Sequence, residues 1–237
     1  MRFHPVFLVP IVLLSLAFAG FTMSDEKLKL NVLVIDGQMN EHHDMAMMSE
    51  AIMDYLEQTG LFEVSHVSTP PPGSDMSAFA PDFDQYDLVV LNYDGDPWPD
   101  ETENAFERFV SDGGGLVSVH SSDNAFPGWP AFLEMTGVGG WGERDERWGP
   151  AIYWGEEGLS YDHGPGQAFH PEQHEFPVTT RDSTHPVTRG LAKTWLHGRD
   201  ELYSGLRGPA KNLDLLATGF ADPSLENNSE RHEPVLM

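Results

Sequence analysis

The sequence predicts an α/β fold built on a mainly parallel sheet with helices on both faces. Three continuous apolar, β-branched runs read as buried strands, and two stretches of helical spacing separate strand signals. The resulting β-α-β, then β-α-β order is the pattern of crossover connections between parallel strands.

Residues 31–35 (Asn-Val-Leu-Val-Ile) form the first strand, running into Asp36-Gly37. A helix over residues 45–58 follows, with Met48, Ile52, Tyr55 and Leu56 near helical spacing and Gly60 as its stop. Residues 62–67 alternate apolar and polar and read as a second strand, and residues 87–92 as a third. Pro99-Asp100-Glu101 opens a helix with Phe106, Phe109 and Val110 on one face, ended by Gly113-Gly114-Gly115. Residues 116–119 are the fourth strand, delivering His120 at its carboxyl end. Beyond Phe126 the texture changes. Residues 137–174 are rich in Gly, Trp and His with little periodicity, which predicts a long set of ordered loops. Strands are expected again at 175–180 and 214–218.

At the amino terminus, Met1-Arg2 precedes an apolar run broken by Pro5 and Pro10 and ending in Ala17-Phe18-Ala19. This reads as a secretory signal over residues 1–19, a polar lead-in over 20–29 and one domain over 30–237. Export follows as an expectation, with no stable membrane anchor after cleavage. At the other end, Leu236-Met237 reads as the middle of a strand.

The chain of 237 residues carries 38 Asp+Glu against 13 Lys+Arg, a formal charge of −25. Such a surface repels phosphate backbones, so no nucleic-acid partner is expected. It has no cysteine, which excludes disulfides, thiolate zinc or iron–sulfur ligation, a lipidated amino terminus and a thiol nucleophile.

Ligands in parallel sheets bind at the carboxyl ends of the strands. Those ends carry Asp36-Gly37-Gln38, then residues 92–96 (Asn-Tyr-Asp-Gly-Asp), then residues 120–124 (His-Ser-Ser-Asp-Asn). His120 is the sharpest candidate for a base or acid, although a histidine at a strand end also serves as a packing residue. Downstream lie His163, His170, His174, His185 and His197, with Asp200 and Glu201. None has the His-Glu-x-x-His spacing of a helical zinc site, so a metal ion is the lesser reading and no cofactor is expected. Trp98, Trp129, Trp141 and Trp154 lie near these polar loops. Aromatic faces beside carboxylates suit a sugar; packing of a loop-rich lid is the alternative.

An ordered set of motifs gives the pattern a family. Residues 32–38 (Val-Leu-Val-Ile-Asp-Gly-Gln), 84–93, 95–99 (Gly-Asp-Pro-Trp-Pro) and 113–120 (Gly-Gly-Gly-Leu-Val-Ser-Val-His) resemble the trehalose-utilisation, ThuA-like family. So do residues 124–129, 139–142 (Gly-Gly-Trp-Gly), His185-Pro186 and 195–203 (Trp-Leu-His-Gly-Arg-Asp-Glu-Leu-Tyr). The resemblance implies a flavodoxin-like three-layer α/β/α sandwich of the class I glutamine amidotransferase-like type. In glutaminases of that fold a cysteine follows the strand equivalent to 116–119. Here His120 stands in its place, and thiol-based glutamine hydrolysis cannot occur.

By resemblance, the family positions are Asp36, Gln38, His43, Asp96, His120, Asn124, Trp141, His174, His197, Asp200 and Glu201. Two departures stand out. The turn Glu41-His42-His43-Asp44 is one residue longer than the family's, so His42 competes with His43 for its position. Relatives also continue beyond residues 232–236 into a further hairpin, so the final strands are expected to be missing from this chain. The implied function is carbohydrate or keto-sugar utilisation by acid–base chemistry. Catalysis is assigned to His120, His197, Asp200 and Glu201. Substrate binding is assigned to Asp36, Gln38, His43, Asp96, Trp98, Asn124, Trp141 and His174. The expected partner is a small carbohydrate, with a homo-oligomer left open. The competing readings are a non-catalytic sugar-binding module and, below it, a metal-dependent hydrolase.

Overall fold

The computed structural model describes residues 29–140, 144–226 and 228–237. The expected signal over 1–19, nearly all of the lead-in, and Trp141 lie outside the described residues. Among those described, no helix is long and apolar enough to cross a membrane.

The first half follows the expected order. β1 (Leu30–Asp36) leads to α1 (Met45–Gln58), β2 (Phe62–Ser68), β3 (Leu88–Leu91), α2 (Asp100–Ser111) and β4 (Gly115–Ser118). These strands form a parallel sheet in the order β2-β1-β3-β4. Because successive side chains of a strand point to opposite faces, β1 serves two cores. Val32 and Val34 pack under Ile52, Met53 and Leu56 of α1. Leu33 and Ile35 join Phe106 and Phe109 of α2 and Phe132 of α3 (Pro130–Thr136). Both faces are therefore covered, which is why the run is apolar throughout.

Local chemistry sets the helix ends. Asp44 caps α1 by accepting the Met47 N–H at 3.0 Å, and Gly60 leaves the helix at φ 67°. α2 carries Asp100, Glu101 and Glu103 in its first turn and Arg108 in its last, matching the helix dipole at both ends.

The second half corrects the expectation of a mainly parallel sheet. β5 (Ala151–Gly155), β6 (Gly158–Asp162), β7 (His174–Thr180), β8 (Thr194–Asp200), β9 (Ala217–Phe220) and β10 (His232–Leu236) form a separate sheet, ordered β6-β5-β10-β9-β7-β8. Every pairing in it is antiparallel. Parallel neighbours need a long crossover, usually a helix, and the described residues of 151–236 contain none. The fold is thus mixed α/β, with a four-stranded parallel sheet and an antiparallel one. Within residues 137–174, expected as loops, the β5–β6 hairpin turns between Gly155 and Gly158. The strand expected at 214–218 begins later, at Ala217. α3 and β8 escaped the sequence reading: α3 spans seven residues, too few for periodicity, and β8 mixes a glycine with charges.

Candidate functional site

β4 ends in a 3-10 turn, His120–Asn124, that starts with His120 in the left-handed region at φ 49°. A non-glycine residue there costs of order 1–3 kcal/mol and persists where its surroundings fix it. The turn is held from below: Ser122 Oγ donates to the Leu91 carbonyl at 3.0 Å and accepts the Tyr93 N–H at 2.9 Å. Gly140 N–H donates to Asn124 Oδ1 at 2.8 Å. Gly139 is required beside it, because a Cβ there would collide with the Arg144 guanidinium and the Asp123 carbonyl. In a 3-10 turn, side chains three apart lie over one another. His120 and Asp123 accordingly line the same cavity.

That cavity, of about 450 Å³, lies between the edge of β4 and the end of β10. Phe176, Leu202 and Leu206 make its apolar wall, and Asn124, His197, Asp200, Glu201 and Tyr203 join the turn in giving it polar groups. The β7–β8 pairing shifts register between His174 and Phe176, opposite the end of β8; a bulge of this kind re-aims side chains. Two carboxylates then hold separate partners. Asp200 Oδ2 lies 3.1 Å from His197 Nε2. Glu201 Oε2 accepts the Tyr203 hydroxyl at 2.9 Å and lies 4.0 Å from His170 Nε2.

The rings around His120 form a chain. His43 meets it edge-on with centroids 4.6 Å apart, and Tyr203 meets its other side at 5.8 Å. Tyr203 in turn packs on His170 at 5.0 Å. The longer turn at residues 41–44 is therefore resolved: His43 reaches His120 while His42 is exposed. Loss of solvent around the ring holds His120 below the usual histidine range, and His43 adds to this; Asp200 and Glu201 pull the other way. Burial pushes the Asp123 carboxyl up to about 7, against the pull of Arg144, with Asp94 adding to the rise. Near neutral pH the turn thus presents an imidazole biased toward its neutral form and a carboxyl that is partly protonated.

Among the sequence candidates, His120, Asn124, His197, Asp200 and Glu201 line the cavity, and His43 stands behind His120. Five others are engaged elsewhere. Asp36 accepts Ser68 Oγ at 2.5 Å and lies 2.9 Å from His66 Nε2, so it ties β1 to β2. Gln38 donates to the Pro70 carbonyl at 2.7 Å and accepts the Asp96 N–H at 2.8 Å, while Asp96 accepts the Gly73 N–H at 2.6 Å. These contacts pin loops together. Trp98, 3% exposed, sits among Phe79, Phe83, Tyr93, Phe106 and Phe126 in the core. His174 bonds through Nδ1 to the Glu172 carbonyl at 3.0 Å and packs on Phe176, away from the cavity lining. Asp123, His170 and Tyr203 enter as residues that no assignment from sequence included. The three-residue step from His120 was the signal for Asp123. Among the described residues, no group of three or more His, Asp or Glu side chains is placed to hold a metal ion.

Comparison with known proteins agrees with this architecture. The family model for ThuA, trehalose utilisation, matches residues 31–236. A ThuA-like protein of known structure from Parabacteroides merdae is 42% identical, with a TM-score of 0.84 over 88% of this chain and 74% of that one. A ThuA-like protein from Bacteroides uniformis, at 17% identity and a TM-score of 0.58, covers 91% of this chain and 80% of its own, and shows the fold alone. No functionally curated protein matches the chain. The match over nearly the whole described domain places the chain in the ThuA, trehalose-utilisation family.

Proposed function

We propose that the chain is an enzyme of carbohydrate utilisation that moves a proton on a sugar or keto-sugar held in the His120 cavity. The observation that supports this most is the pairing of His120 and Asp123 on one 3-10 turn, with their proton affinities moved in opposite directions. A base must be free of its proton at working pH and an acid must keep its own. His120 supplies the first and Asp123 the second. Glu201 orients Tyr203 beside His120, and Asp200 orients His197. With its hydrogen given to Glu201, the Tyr203 oxygen is left as an acceptor, and it joins the Glu201 and Asp200 carboxylates in accepting from hydroxyls of a bound sugar.

The sugar-binding module without catalysis would rest on an exposed aromatic platform. Trp98 and Trp129 are instead packed in the core, which favours the enzyme. Export belongs to the same proposal and rests on the signal-like residues 1–19.

The test is incubation of the full chain with mono- and disaccharides and their keto forms, with products read by mass. Turnover of at least one, reduced about a hundredfold or more in Asp123→Asn, is expected. Saturable binding of a sugar with no conversion anywhere in the panel would establish the binding module instead.

A further inference from the structure

The segment 204–207, which turns at Gly205 (φ 74°), separates two cavities. Leu206 lines the first, whereas its neighbours Gly205 and Arg207 line a second of about 260 Å³. The two share no lining residue. β10 contributes to both, with Glu233 lining the second cavity and Pro234, Val235 and Leu236 the first.

The second cavity is built around buried charge. Arg207 is 4% exposed and donates from Nη1 to the Gly149 carbonyl at 3.1 Å and from Nη2 to the Gly164 carbonyl at 2.7 Å. Its Nε–H is buried and has no acceptor among the described residues. Arg231 lies over the Tyr153 ring at 4.4 Å and donates to Asp162 Oδ2 at 2.8 Å. Glu233, 2% exposed, accepts Ser229 Oγ at 2.5 Å, but its other oxygen has a long 3.4 Å contact with the Gly205 N–H. Burial pushes its carboxyl up to about 7, against the Ser229, Gly205 and Arg231 interactions. Around neutrality two guanidinium groups therefore face one full carboxylate, Asp162, and one partly protonated carboxyl. The local balance is positive in a chain whose formal charge is −25.

We propose that this cavity is a binding site for a small hydroxycarboxylate, the size of a single sugar acid. The carboxylate accepts from the Arg207 Nε–H and from Arg231, and the ligand's hydroxyls meet Glu233, Ser229 and Gln167. An orphaned, buried guanidinium donor is costly, and an anionic oxygen is the acceptor that relieves it most. A single hydroxyl chain without the acid would satisfy Glu233 but leave the positive excess uncompensated.

Titration calorimetry of the full chain with D-gluconate, D-glucose and inorganic phosphate separates the possibilities. Gluconate is expected to bind at one equivalent, about tenfold or more tighter than glucose, since the carboxylate gains charge-assisted bonds. Phosphate, which lacks the hydroxyl arm, is expected to bind more weakly than gluconate. Arg231→Gln, at a half-exposed position, should weaken gluconate about tenfold or more while His120→Asn leaves it unchanged. At about pH 8, Glu233→Gln removes a negative charge at constant size and should tighten binding. Absence of saturable gluconate binding overturns the proposal. So does phosphate binding as tightly as gluconate, which assigns a plain oxyanion site. Loss of binding in His120→Asn rather than Arg231→Gln places the anion in the first cavity and likewise overturns it. Failure of the sugar panel above leaves these outcomes untouched, because the two cavities have no residue in common.

Discussion

The imidazole of His43 stands edge-on to that of His120, ring centroids 4.6 Å apart, so protonating either ring raises the cost of protonating the other. His120 is held below its usual range first by loss of solvent and then by His43. Replacing His43 with Gln removes the like charge and should move the His120 midpoint upward in an NMR titration. An unmoved midpoint would show that the two rings are electrostatically independent. The same depression has a stability consequence. The folded state binds this proton less readily than the unfolded chain, so the His120 contribution is present above the unfolded value and is lost as pH falls through it.

Asp123 and Glu233 behave in the opposite sense. Each carboxyl is raised to about 7 from an ordinary value near 4, so the folded state holds a proton that the unfolded chain has released. Their stabilisation is full below the unfolded value and is lost as pH rises toward 7. Asp123→Asn and Glu233→Gln should therefore gain melting temperature relative to the parent as pH is raised from about 5 to about 8. A difference independent of pH would mean that these carboxyls ionise normally.

Asp36 joins two strands through Ser68 and His66. Asp36→Asn weakens a charge-assisted pair of contacts at a buried position, which should cost about 1–3 kcal/mol in urea unfolding. Sugar affinity should stay the same. A loss of affinity without a loss of stability would return Asp36 to the ligand.

Trp98 lies in an aromatic cluster linking Phe79 and Phe83 to α2 and to Phe126. Trp98→Ala should cost about 3–5 kcal/mol, whereas Trp98→Phe should retain the fold with unaltered turnover. Denaturation and assay of the two variants separate packing from substrate contact.

These residues also show where the sequence was readable. β1 and β3 announced themselves because both their faces are covered and the runs are apolar throughout, and α2 because Phe106 and Phe109 bury one face. Of the antiparallel sheet, β7 was legible and β9 in part, while β5, β6 and β8 were not, being short, half exposed or interrupted by glycine, histidine and charge. The identity of His120 as the group presented by β4 was legible from a strand end followed by a polar run. Of its ring partners, only His43 was named, and that through the family resemblance rather than through spacing. His43, His170 and Tyr203 come from segments far apart in the chain, and spacing carries no record of which distant rings meet. The same holds for Trp98 and Asp36: a tryptophan or carboxylate in a loop reads alike whether it faces a ligand or a neighbouring strand.

The central claim is that His120 moves a proton. Asparagine tolerates the left-handed backbone that His120 occupies, so His120→Asn removes the imidazole while leaving the turn intact. On any sugar or keto-sugar that the parent converts, this variant should lose about a hundredfold to ten-thousandfold in kcat at saturating substrate. Retention of parental kcat by a folded His120→Asn protein would contradict the account.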